Sequence, residues 1–366
     1  MSMSYWLEAY GNPTVLASGG AVIGGLFGFF AQRSRFCLRA AVIEFWHRQF
    51  GDKLSVWLLA FSSAVIAVQL MVLMGWLDTN NARQISTTGS MSGALIGGLV
   101  FGIGMVMTRG CASRLLVLSA NGNLRALLSG LIFAVTAQSA LSGVLSPLRL
   151  AISSWWTIPG GASRDLLAIT GLGHGAGLAM GGIWLVAALY FSLRSPNRNF
   201  WMWVGGVGTG LMVAAAWGFS QWVARESFDP VQIQGLTFSG PSAEWLMRVM
   251  QWPWPVIGFE FGLMPGVFLG SLIGALIGKD WKLEGFTDGY SMRRYIGGAI
   301  LMGFGSMLAG GCAVGAGVTG GAIFALTAWV SLVGMWLGAG LTDRWLDNGS
   351  NAAMSAKVQT EGFKLP

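Results

Sequence analysis

Apolar residues run through this chain in blocks of about twenty, separated by short stretches where the charges collect. A helix needs about 20 apolar residues to cross the hydrocarbon core of a bilayer. By that measure nine spans are expected, over residues 14–32, 54–77, 91–109, 124–146, 172–193, 200–223, 258–278, 294–310 and 321–341. Two further stretches, 111–120 and 312–320, are too short to cross, and each begins at a cysteine. They read as short or re-entrant helices, whose exposed backbone must be shielded by protein or line a wet cavity. The fold class expected is all-α: a polytopic membrane protein of about nine spans plus short broken helices.

The loop charges set an orientation, because short cytoplasmic loops are enriched in Lys and Arg. Arg33, Arg35, Arg39, Arg48 and Lys53 put the first loop inside and the N-terminus outside. Arg194 and Arg198, and then Lys279, Lys282, Arg293 and Arg294, mark two further inner loops. Nine spans then place the C-terminal tail, 350–366, inside. The segment 224–257, with Glu226, Asp229 and Glu244 and with Trp245, Trp252 and Trp254 beside Pro253 and Pro255, reads as a cap at the outer interface.

Within this pattern one motif occurs twice. Gly-x-Gly-x5-Gly-Cys-Ala spans Gly102 to Ala112 and again Gly303 to Ala313, 201 residues apart, with Gly97 and Gly298 matching upstream. The span leading to Cys111 runs inward and the one leading to Cys312 runs outward, so the repeat is inverted. Inverted repeats with broken helices are the mark of transporters that bind near the midplane. The expected division is a first half, 1–147, a connector with one span, 148–199, a second half, 200–349, and the tail.

Composition agrees with lipid. Hydrophobic residues make up 54% of the chain and charged residues 10%, against about 25% charged in soluble domains. The 56 Gly suit close helix contacts, with Gly24-Gly25, Gly97-Gly98, Gly181-Gly182, Gly205-Gly206 and Gly297-Gly298 expected as packing surfaces. The net charge of +7 lies in short loops, without the Lys/Arg tract of a nucleic-acid binder. Met1 to Pro13 holds no Lys or Arg, so the first span is expected to stay in the mature protein. Three cysteines and two histidines with no C-x-x-C argue against a zinc site or a disulfide framework. No metal or cofactor is expected.

The chemistry centres on Gly110-Cys111 and Gly311-Cys312. A short helix starting at a cysteine aims its unpaired N–H groups and the positive end of its dipole at what lies before it, which favours an anion. The thiol adds a weak S–H donor and a polarisable sulfur. That pair suits an anion with a soft sulfur or selenium end better than phosphate, which calls for Lys or Arg. Cys37, in Gln32-Arg33-Ser34-Arg35-Phe36-Cys37, follows the first span. Its arginines either draw anions to the mouth or mark the cytoplasmic boundary. Arg109 and Arg114 either select substrate or anchor helix ends. His174, His47 and Glu260 read as interfacial or loop residues, with proton coupling a second reading for Glu260.

Taken together, Gln32 to Cys37, Gly102-x-Gly104 leading to Gly110-Cys111-Ala112, and Gly303-Phe304-Gly305 leading to Gly311-Cys312-Ala313-Val314-Gly315 resemble the YeeE/YedE sulfur-transport family over nearly the whole chain. The resemblance implies a bacterial inner-membrane, hourglass-shaped fold of nine spans plus short helices. Three cysteines near its constriction, here Cys37, Cys111 and Cys312, would pass thiosulfate along by S–H contacts to sulfur. The chain departs from the pattern at Ser113-Arg114, where relatives often carry a small residue and Gly, so Arg114 bears on which anion is preferred.

The expected function is therefore uptake of thiosulfate or a related sulfur-containing anion, with Gln32, Arg109 and Arg114 as accessory residues. The partners are that anion, the bilayer and a cytoplasmic sulfur-carrier protein. No Gly-x4-Gly-Lys-Ser/Thr is present, so transport is passive, ion-coupled or driven by consumption. Two rivals remain. A membrane thiol enzyme or sulfur relay would build persulfides on Cys111 or Cys312, although no His or carboxylate adjoins them as a base. A sulfur-sensing membrane subunit would tolerate a sealed pathway.

Overall fold

The computed structural model describes residues 3–195, 199–227, 230–250, 258–285 and 289–361. In the first part of the chain the helices are α1 (Met3–Ser34), α2 (Leu38–Trp46), α3 (Asp52–Leu73), α4 (Arg83–Ser86), α5 (Met91–Met107), α6 (Ala112–Ala120), α7 (Leu124–Ser142), α8 (Ser146–Ser153) and α9 (Leu166–Ile169). Then come α10 (His174–Arg194), α11 (Phe200–Glu226), α12 (Ser239–Met250), α13 (Phe259–Gly278), α14 (Gly289–Leu308), a π-helix (Ala313–Gly320) and α15 (Leu326–Glu361). The strands β1 (Gly89–Ser90) and β2 (Thr157–Ile158) form one small antiparallel pair.

Among the described residues, eight helices are long and apolar enough to cross a membrane. The ninth expected span, 321–341, falls on α15, which starts later and continues to Glu361. Local chemistry sets several boundaries. Ser90, Asn123 and Asn199 cap α5, α7 and α11 by accepting from the N–H of Gly93, Ala126 and Met202. The first helix is broken at Gly11 (φ 77), just ahead of Pro13.

Displaced by 201 residues, the separation of Cys111 and Cys312, the elements α1, α2, α3, α5, α6 and α7 fall on α11, α12, α13, α14, the π-helix and α15. Only α10, of the long helices, is left without a counterpart. The short helices α2 and α12, which lie in stretches expected as loop and cap, are 201 residues apart at their first residues, Leu38 and Ser239.

The motif glycines lie where the repeats meet. A Cβ on Gly104 of α5 would stand 2.5 Å from the carbonyl oxygen of Gly298 on α14, and one on Gly305 of α14 would stand 2.6 Å from the amide of Phe101 on α5. Gly93 faces Leu308 while Gly104 faces Gly298, so these two helices run antiparallel. The exchange continues outward, with Gly102 against the backbone of Met335 on α15 and Gly303 against that of Phe133 on α7. In lipid no hydrophobic force drives helices together, so close backbone contact at small residues supplies the association. Of the glycine pairs expected at contacts, Gly24, Gly97, Gly98, Gly181, Gly205, Gly206 and Gly298 abut another helix, whereas no neighbour approaches Gly182.

The segment read as an outer cap requires correction. Residues 251–257, with Trp252, Pro253, Trp254 and Pro255, and likewise Asp229 and Arg198, lie outside the described residues. What is described enters the core instead: Ile233, Leu236, Phe238 and Ala243 are buried. The extended backbone survives burial because side chains take its polar groups. Ser220 Oγ donates to Gln234 O (2.8 Å) and accepts from Gln234 N, and Thr319 Oγ1 donates to Leu236 O (2.6 Å).

Candidate functional site

The three cysteines occupy the same structural position. Each is the cap residue of a short helix: Cys37 of α2, Cys111 of α6 and Cys312 of the π-helix. Each follows a left-handed residue two places earlier, Arg35 (φ 55), Arg109 (φ 58) and Gly310 (φ 77). Between them, Phe36, Gly110 and Gly311 donate their N–H groups five residues back, to Ala31, Met105 and Ser306 (3.0, 3.1 and 2.9 Å). This bond with a left-handed residue before it is the Schellman ending of a helix. The sequence therefore ends a long helix, reverses direction through one residue, and starts a short helix on the thiol, three times over.

All three thiols are free and buried, and Cys37 and Cys312 both lie within electrostatic reach of Cys111. Cys312 Sγ accepts from the N–H of Gly315 at 3.4 Å, and Cys111 Sγ meets Ser113 Oγ at 3.4 Å. Thr108 Oγ1 braces the first break, donating toward the carbonyls of Gly104 and Gly110 (both 2.9 Å). Ser331 Oγ donates to Ala309 O beside the second (3.2 Å).

The place matching Cys37 in the second half is Phe238, directly before α12, buried and with its ring 5.2 Å from that of Phe27. The site thus has three thiols and one aromatic ring at four related positions. Counting 201 residues from Cys37 would have found it.

Two cavities approach this centre. The first, about 400 Å³, is lined by Arg33, Arg35, Asp52, Lys53 and Asp280, and so begins two residues before Cys37. The second, about 370 Å³, reaches Gly310, Gly315 and Ala316, on both sides of Cys312. Glu260 at the start of α13 lines the second, while Gly278 and Asp280 at its end line the first. The two ends of α13, 20 residues long, are thus about 30 Å apart, the thickness of the hydrocarbon core, so the cavities open at opposite ends of a spanning helix.

The accessory residues divide. Gln32 is buried and its Oε1 accepts from Arg114 at 3.5 Å. Arg114 also lies within electrostatic reach of Cys37, Cys111, Arg35 and Asp280, so it belongs with the thiols on the first cavity's side. Arg109 does not join them: its side chain is exposed and absent from both cavity walls. Gly110 and Gly311 differ as well. A Cβ at Gly110 would meet only ordinary contacts at 3.5 Å, whereas one at Gly311 would stand 2.8 Å from the amide of Ala316. Glu260 lines the second cavity with Glu244 and Arg83. His174 Nδ1 lies 3.2 Å from Gln69 Oε1, and His47 pairs with Asp343 at 2.7 Å on α15.

Sequence reasoning missed the connector's contribution. Arg164, between β2 and α9, is buried in the wall of the second cavity. Burial draws its pKa below the ordinary arginine value. The available signal was Arg164-Asp165, a charged pair between the spans at 124–146 and 172–193.

These features define a class: a multi-pass helical membrane protein with broken helices, whose short helices start on buried thiols. The chain belongs to the sulphur transport family, which it matches over residues 33–341. It is similar to the thiosulfate transporter TsuA of Escherichia coli (strain K12), at 26% identity over 344 residues, covering 89% of this chain and 93% of that protein. It is also similar to the thiosulfate transporter TsuA of Spirochaeta thermophila, at 26% identity over 339 residues, covering 87% and 96%.

Proposed function

We propose that the protein carries thiosulfate, or a related sulfur-containing anion, inward across the bacterial cytoplasmic membrane. The N-terminus lies outside and the C-terminus inside. Halves 1–147 and 200–349 form the inverted repeat about the connector 148–199. Cys312, Cys111 and Cys37 meet the soft terminal sulfur in turn, each through its S–H, while the helix starts after Gly110 and Gly311 balance the anion's charge. Gln32 and Arg114 flank the inner end of the path, and Arg109 serves the helix ending. The protein performs no net chemistry, and a cytoplasmic sulfur carrier receives the cargo.

The observation that carries this reading is the threefold recurrence of a buried thiol capping a short helix, with cavities opening at the two ends of α13. The relatives named as thiosulfate transporters support the substrate class. A weak S–H donor suits the path because a tight site would hold the anion and slow its release. Bringing a dianion into a negative interior costs about 5 kcal/mol per 100 mV. Accumulation therefore needs a co-ion or consumption of the cargo.

The test is uptake of radiolabelled thiosulfate by cells expressing the wild type, Cys111→Ala, Cys312→Ala or the double variant. The double variant should lose at least about 90% of uptake while reaching the membrane in normal amount, since the loss of even one hydrogen bond to a charged group amounts to about tenfold. Undiminished uptake in a well-folded double variant removes the thiol mechanism.

A further inference from the structure

The second cavity contains a charge with no counter-charge among the described residues. Arg164 has a relative exposure of 6% and lines the cavity that reaches Cys312. Its guanidinium is held on two sides, donating to Thr87 O at 2.6 Å and to Thr327 Oγ1 at 2.7 Å. Its buried Nε–H has no partner among the described residues. Among the described residues no carboxylate pairs with it either. The adjacent Asp165 turns its oxygen to the amides of Leu167 and Ala168. The cavity's two carboxylates lie together and face other groups: Glu244 pairs with Arg248 at 3.1 Å, and Glu260 lies against Glu244 with Arg83 and Arg248 in reach.

A buried, uncompensated cation is costly, and it persists where something supplies the missing charge. The surroundings are arranged for an anion. The starts of α5 at Ser90, of α12 at Ser239 and of α15 at Thr327 all open on this cavity, each bringing the positive end of a helix dipole. Gly89 makes room for the guanidinium, since a Cβ there would stand 2.5 Å from Arg164 Nε.

We propose that Arg164 is an oxyanion-binding residue of the second cavity, where the sulfonate end of the cargo docks before its terminal sulfur reaches Cys312. This rests on the transport reading above and deepens it by dividing recognition between two ends of one anion. The hard oxygens go to an arginine fork, as its geometry favours, and the soft sulfur goes to the thiols. The connector has no counterpart in the repeat, so this site exists on one side only and gives the pathway a direction of entry.

The experiment uses the purified full-length protein with sodium thiosulfate. Thermal unfolding is followed with and without the salt at constant ionic strength, and uptake kinetics are measured in proteoliposomes. Arg164→Met is expected to fold with an unchanged or raised midpoint, because it removes a buried lone charge, and to lose the thiosulfate-dependent rise seen in the wild type. Arg164→Lys keeps the charge and loses the fork. It is expected to raise KM by about tenfold or more, the loss of one hydrogen bond to a charged group, with Vmax within about twofold. A full thiosulfate shift in Arg164→Met, or an unchanged KM in Arg164→Lys, overturns the assignment. If Arg164→Met fails to fold, the KM of Arg164→Lys decides alone. If the wild type neither binds nor transports thiosulfate, the transport reading falls and this site with it. A normal wild type with unaffected Arg164 variants removes the site alone.

Discussion

At each of the three breaks a single residue carries the reversal, and the two arginines among them do so against their preference. A left-handed conformation costs a non-glycine residue about 1–2 kcal/mol, and Arg35 and Arg109 both adopt it. At Arg109, whose side chain is exposed and away from the cavities, the conformation rather than the guanidinium explains its place. The glycine before each repeated cysteine is a separate matter. Gly311 is held by a backbone approach that leaves no space for a methyl group, and Gly110 is not. Gly311→Ala should therefore lower stability by roughly 1–3 kcal/mol. Gly110→Ala should stay within about 0.5 kcal/mol. Unfolding midpoints in detergent measure both, and equal losses would contradict the asymmetry. The motif spelled Gly-Cys twice, but which glycine is sterically required depended on the helix that follows: the π-helix brings the amide of Ala316 back against Gly311, and α6 does not crowd Gly110 in this way.

Among the elements, α5 and α14 form the seam of the molecule. Their contacts are reciprocal, Gly104 reading α14 as Gly305 reads α5. A side chain on either glycine pushes the same two backbones apart. Gly104→Val and Gly305→Val should each cost about 1–3 kcal/mol. The double variant should cost less than their sum, with a coupling of at least about 0.5 kcal/mol, because helices already separated are not separated again. Strict additivity in denaturation would show that the two sites do not share one interface. The period of the apolar blocks made the long helices legible. It could not reveal α2 and α12, since short helices end and begin on local geometry and not on twenty-residue hydrophobicity. Nor could it foresee that 230–238 is buried, an outcome set by Ser220 and Thr319 on other helices.

For the whole molecule, the loop charges make a prediction separate from the chemistry. With the N-terminus outside and the C-terminus inside, a green fluorescent protein fused after residue 366 should fluoresce. Alkaline phosphatase fused in the exposed segment between α8 and β2 should be active. The reverse pattern would invert the direction proposed for transport and place Arg164 at the exit. The exposed apolar residues agree with lipid around the bundle, for example Ile183, Val186 and Leu193 on α10.

The amino-acid sequence by itself determined the solvent, the long apolar helices, the repeated motif and the three thiols, because each is written in local composition or in fixed spacing. Hydrophobic length and positive loops act on a chain before it folds, so they can be read without knowing its partners. Only the tertiary structure decided that Cys37 shares the position of the other two cysteines, that the ring of Phe238 packs on Phe27, and that Arg164 from the connector faces the second cavity without a counter-charge among the described residues. These are relations between residues more than fifty positions apart. They exist only once helix backbones close on one another, and the contacts that close them carry no signature in the neighbouring sequence.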